Sequence, residues 1–208
     1  MQKRSHRLLA SALLESCSGF SARRYEAAFL FGSFQPDCNP LSYLKGSRTA
    51  RFLRGHNYDN SRAYLFSHIA RLQARQNWTV WHYYTLGKLT HYLADAFTFP
   101  HNSTYHDSLR AHRRYEAQLR LDLAEALRDH AFASQDLRED LAEVLREYIS
   151  AHQELHQELR QMLRQDLTDA LIRLHERYLS SASTLRRDID YICLANEWLM
   201  SACLPAVR

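Results

Sequence analysis

Residues 77–97 read NWTVWHYYTLGKLTHYLADAF. Apolar and aromatic positions run nearly all the way round a helical projection of this stretch. That is the pattern of a helix buried on every side rather than of an amphipathic surface helix. Asn77 is placed to cap its start, and Pro100 is placed to end it, because proline cannot continue the helical ladder. Within this rod stand His91 and Asp95, four residues apart and therefore on one face. A carboxylate in an apolar helix is costly unless a cation offsets its charge; a metal ion or an arginine could do so. Fold and chemistry are both read outward from here.

Upstream, Leu8, Leu9, Ala12 and Leu13 recur at helical spacing and predict a helix over residues 5–16. Basic residues precede it as in a signal peptide, but LLASALL is short and Glu15 follows closely, so the segment is read as an amphipathic helix of a mature cytoplasmic chain. Ser21 can cap a second helix through AAFLFGS. The prolines of QPDCNP, residues 35–40, bracket Asp37, Cys38 and Asn39 and predict a loop. A second loop, GHNYDN, holds His56, and Asn60 or Ser61 opens a helix to about Gln73. Downstream, residues 103–130 read as a long helix, increasingly polar. Two or three further helices fill 134–203, with breaks near 150–154 and at SSAS, residues 180–183.

No stretch alternates with period two, and no repeat or linker marks a second domain. The fold class is all-α: one helical bundle over residues 1–208, with sites built from facing helices. Five glycines and four prolines among 208 residues agree with that. The net charge is +4, and Lys3, Lys45 and Lys88 are the only lysines; every other basic residue is arginine. Alternation with acids, as in LREDLAEVLRE, reads as a solvated helix face with i,i+4 pairs rather than as a nucleic-acid surface. Cys17, Cys38, Cys193 and Cys203 form no CxxC pair and are read as buried thiols. No run reaches the ~20 apolar residues that span a bilayer.

His112 and Glu116, in HRRYE, repeat the i,i+4 geometry of His91 and Asp95 on the next helix, and His101 lies in the turn between them. An antiparallel pairing of the two helices would gather five ligand-type side chains at one end of the bundle. Imidazole nitrogen and carboxylate oxygen both suit zinc. Among 12 histidines and 23 acids any one such pair arises readily by chance. His106-Asp107 likewise offers the dyad of an HD-type phosphohydrolase, but that reading leaves the spacing 91, 95, 101, 112, 116 unexplained.

The order Asp37, His56, His91-Tyr-Leu-Ala-Asp95, His101, His112-Arg-Arg-Tyr-Glu116 resembles the zinc-dependent phospholipase C family, which shares its fold with the P1/S1 nucleases. The five-residue gap AFTFP between Asp95 and His101 matches that family's gap, and the motif region spans residues 5–120. The resemblance implies one zinc ion held by Asp37, His56, His91 and Asp95, and a second held by His101, His112 and Glu116. Asp95 would bridge to a third, which also takes an early histidine, here His6, and the backbone amino and carbonyl groups of an N-terminal tryptophan. This chain begins Met-Gln, so its third site is expected to be weaker, built differently or empty.

Two or three clustered zinc ions would lower the pKa of a water towards ~7 and stabilise the oxygens of a phosphodiester under in-line attack. Asp37 is the candidate catalytic residue, accepting the water's proton. The implied substrate is a phospholipid or another phosphodiester, with transient membrane-surface contact. Two alternatives stand beside it: a P1/S1-like nuclease acting on single-stranded nucleic acid, and a non-catalytic helical module with structural zinc. Phe31, Phe34, Tyr58, Tyr64, Tyr92, Phe97, Phe99 and Tyr105 flank the motif, either as an apolar rim or as core.

Overall fold

The computed structural model describes residues 1–38, 58–102, 105, 108–128, 158–182 and 184–205. His56 and the His106-Asp107 dyad lie outside them. The helices are α1 (Lys3–Ser16), α2 (Arg23–Cys38), α3 (Tyr58–Gln73), α4 (Val80–Ala96), a 3-10 turn (Phe99–His101), α5 (Leu109–Arg128), α6 (Glu158–Ser180) and α7 (Leu185–Cys203). Among the described residues there is no strand, and the all-α expectation holds.

α4 is the axis of the bundle. Every residue from Leu86 to Ala96 is buried, and the helix packs against α1, α2, α3 and α7. It starts two residues later than Asn77 would place it: Thr79 is the N-cap, and the Thr79 N–H donates to His82 Nδ1 at 2.8 Å, using one of the donors a helix start leaves orphaned. It also ends before the proline. The ladder stops at Ala96, and Pro100 sits inside the 3-10 turn, where its missing N–H costs nothing.

Among the described helices α2 and α4 pack most closely, and two glycines permit it. A Cβ on Gly32 would lie 2.1 Å from the Tyr84 carbonyl oxygen, and one on Gly87 would lie 2.1 Å from that of Phe29. Real Cβ atoms do not approach that closely, so only glycine lets the two backbones touch at this crossing. Phe29, Leu86, Leu89 and Leu93 fill the core around it, each essentially without solvent exposure.

Two expectations are corrected. Residues 35–38 are not a loop: α2 runs through Pro36 and Asp37 to Cys38. Pro36 falls in the last turn, where only one ladder bond is forfeited and little helix remains to break. Nor do α4 and α5 form the expected antiparallel pair. α5 packs mainly on α1 and α7, and the start of α1 reaches the ligand-bearing ends of α4 and α5. α3 begins at Tyr58, two residues ahead of Asn60, and ends at Gln73 as read.

Candidate metal centre

Three helices and the chain start converge on Asp95. His91 follows the glycine crossing by one turn and Asp95 by two, so both are fixed by the contact that fixes α4 against α2. Asp37, five residues after Gly32 on α2, comes to the same place. His6, one turn into α1, stacks on His91 with ring centroids 3.7 Å apart. His91 Nδ1 lies 2.9 Å from the Ser33 carbonyl oxygen. A carbonyl only accepts, so Nδ1 carries the proton and Nε2 keeps the lone pair, the orientation a metal ligand requires.

That lone pair faces anions. His91 Nε2 is 3.4 Å from Asp95 Oδ2 and 3.7 Å from Asp37 Oδ1. His6 Nε2 is 3.3 Å from Asp95 Oδ1 and 4.0 Å from Asp37 Oδ2. His6, His91 and Asp95 are at most 1 % exposed, and one ligand atom from each lies within 4.8 Å of the others. Both ring nitrogens of His6, and Oδ2 of both Asp37 and Asp95, are buried without a hydrogen bond. The stacked rings and the two carboxylates, Asp95 buried and Asp37 half-buried, turn imidazole nitrogens and carboxylate oxygens toward one another, a donor set that suits zinc. Among the described residues Asp95 pairs with the Met1 amine, His6, His91 and His101 and with no arginine, so the guanidinium alternative has no support there.

The second group stands at the rim. His112 and Glu116 are one turn apart on α5, with His112 Nε2 3.2 Å from Glu116 Oε1. His101 Nε2 is 3.4 Å from the same oxygen. These three also lie within 4.8 Å of one another but are half-buried, so this side opens to solvent. Between the groups sits the Met1 amino group, fully buried, 2.5 Å from Asp95 Oδ1, 2.8 Å from His101 Nε2 and 3.4 Å from Glu116 Oε1. The resemblance assigns the third site the backbone amino and carbonyl groups of an N-terminal tryptophan; here the Met1 amino group lies against Asp95, close to His6 Nε2 on the same carboxylate oxygen.

The electrostatics follow the geometry. Burial pushes the Asp95 carboxyl up, but the positive charge around it, led by His101 and the Met1 amino group, outweighs that and holds Asp95 well below the usual carboxylate range. Burial likewise pushes Glu116 up, and hydrogen bonds from His101 and His112 bring it far down. Asp37 is raised, by burial first, with the charge of His6 only partly opposing.

Several supporting residues gave no sequence signal. Asp188 on α7 is fully buried and accepts from the Phe99 N–H (2.8 Å), from Tyr178 Oη (2.9 Å) and from Tyr115 Oη. It thereby ties the turn carrying His101 to the residue beside Glu116. Asn102 Nδ2 donates to the Ala96 and Thr98 carbonyls at 3.1 Å, and its Oδ1 lies 2.9 Å from His175 Nε2. In sequence, RRDID reads as a solvated helix start, and nothing distinguishes His175 from the exposed histidines. The Tyr105 ring edge meets His112, with centroids 5.9 Å apart. Beyond Tyr105 a cavity of about 730 Å³ is lined by Phe99, Tyr105, Tyr115, Arg110 and Arg114.

A family model described as zinc dependent phospholipase C matches residues 5–185. No curated protein and no solved structure gives a significant match.

Proposed function

We propose that this chain, which belongs to the zinc-dependent phospholipase C family, hydrolyses the head-group phosphodiester of a phospholipid. One observation carries the reading: seven ligand-type side chains gather in two adjoining groups, one buried and one open to solvent, with a backbone amine between them. Structural zinc sites are closed by their ligands, whereas catalytic sites keep a position open.

His6, His91, Asp95 and Asp37 would hold zinc on the buried side; His101, His112 and Glu116 would hold it at the rim, with Asp95 and the Met1 amine between the groups. Zinc supplies Lewis-acid polarisation of the phosphoryl oxygens and makes water acidic enough to attack at neutral pH. The chain's own residues do the rest. The Ser33 carbonyl fixes the tautomer of His91. Asp37, at the mouth of the buried group, accepts the proton of the attacking water. The half-buried rim admits the phosphodiester, and the alcohol that leaves is diacylglycerol.

The test is hydrolysis of a chromogenic phosphocholine ester beside single-stranded DNA, together with zinc analysis of protein purified without added metal. Ester cleavage with at least two zinc ions per chain is expected; fewer than two would overturn the reading. Asp37→Asn should lower turnover more than zinc content, and equal losses would remove its separate role. The cavity behind Tyr105 favours a second reading. Aromatic faces with two guanidinium groups one turn apart suit a base and a backbone phosphate, as in a single-strand nuclease. Cleavage of DNA alone would select it.

A further inference from the structure

The outer face of the α2–α4 pair carries an aromatic strip that the site does not use. Trp81 is 74 % exposed, Phe31 53 % and Val80 40 %. The rings touch in sequence: Trp81 meets Tyr84 edge-on (5.9 Å), Tyr84 stacks on Phe31 (5.9 Å), and Phe31 meets Phe34 edge-on (5.6 Å). One exposed cation flanks the strip: Lys3 Nζ lies 5.0 Å from the Phe34 ring centroid, while Lys88 is buried beneath Tyr84.

We propose that this strip is the surface by which the protein seats itself on a bilayer containing anionic phospholipid. The inference rests on the phospholipase reading and names the aggregate that presents the substrate.

Three features select a lipid surface over another occupant. Tryptophan and phenylalanine beside lysine suit the headgroup level, where a ring can enter the acyl boundary while its polar edge and the neighbouring ammonium stay in water. The exposed charge beside the strip is mainly basic: Lys3, Arg4 and Arg7 are exposed at the start of α1, which carries no acid before Glu15, and α4 carries none before Asp95, while α2 adds the half-buried Glu26 and Asp37 near its two ends. An anionic headgroup layer complements that face. The strip also leads to the metal centre. Phe34 is three residues before Asp37, Lys3 is two after Met1, and Trp81 is ten before His91, about 15 Å along the helix. A lipid drawn from the layer at Phe34 thus emerges beside the ligands.

The probe is vesicles with a third of their lipid anionic, assayed by co-sedimentation and by quenching of tryptophan fluorescence with brominated acyl chains. Wild type should sediment, less so with purely zwitterionic vesicles or in high salt, and Trp81→Phe should remove most of the quenching. Phe31→Ser with Trp81→Ser should weaken vesicle binding and hydrolysis of vesicle lipid at least about tenfold. The same double variant should hydrolyse a soluble monomeric ester at the wild-type rate, which also shows that it folds. Equal binding by the double variant, or no binding by wild type, would overturn the proposal. So would a wild-type dimer that the double variant dissolves, which would assign the face to a second copy. Absence of hydrolysis with vesicle binding intact would instead remove the phospholipase reading alone.

Discussion

The two ligand groups share a chemistry and differ in what holds them. His6, His91 and Asp95 are enclosed on all sides, and His91 and Asp95 owe their positions to a backbone contact, the glycine crossing of α2 and α4. His101, His112 and Glu116 are half-buried and owe theirs to side chains, chiefly Asp188, which binds the short turn to α5 and α7, and Asn102, which binds it to the end of α4 and to His175 on α6. A site built on main-chain packing cannot adjust without unpacking the core. A site built on tethered side chains can yield locally. The buried group is therefore expected to hold its ion as a structural fixture, and the rim group to be the one that exchanges.

The hardest test of this contrast is Gly87→Ala. Its methyl would meet the Phe29 carbonyl, and overpacking between two main chains should cost at least about 3 kcal/mol. Thermal melts should show gross destabilisation, with zinc lost from both groups together; a variant that melts like wild type would show that the crossing is not the support. Next comes a pair. Asp95→Asn faces both groups and should lose all zinc and over about a hundredfold in turnover, whereas His112→Ala should lose only the rim ion with the melting temperature retained. Equal zinc loss from the two would erase the distinction.

Smaller effects refine it. Asp188→Asn leaves every ligand in place but weakens the tether of the rim; about a tenfold fall in turnover is expected with the buried ion unaffected, read by zinc titration. The last effect appears only in acid. Burial holds the His175 imidazole down to about 4, while in the unfolded chain it titrates near 6.5. The unfolded state then binds the extra proton between those values, so stability falls as pH drops through that window, by about 3 kcal/mol at most. Comparing acid melts of wild type and His175→Asn isolates this contribution; parallel curves would show that His175 is not what softens the rim in acid.

The sequence displays the buried half of the centre better than its supports. α4 was legible because an all-round apolar helix is a local pattern, and the i,i+4 spacing of His91 and Asp95, and of His112 and Glu116, is local too. Asp37 was read as a loop residue because two prolines outweigh helix signals in a short window; its place on α2 depends on the last turn tolerating Pro36. The Ser33 carbonyl and the Met1 amine are main-chain groups that no residue pattern reports. Asp188 and Tyr115 lie 73 residues apart and acquire a role only when α5 docks on α7. The pairing expected between α4 and α5 failed for the same reason: local periodicity gives a helix its faces and not its neighbours.

The crossing at Gly32 and Gly87 also acts as a gauge mark. It pins one helix against the other at a single rotational setting, so what must be kept on each side is a count: five residues to Asp37, four to His91, eight to Asp95. Insertion of one residue within any of these intervals would swing the side chain beyond it by about 100°.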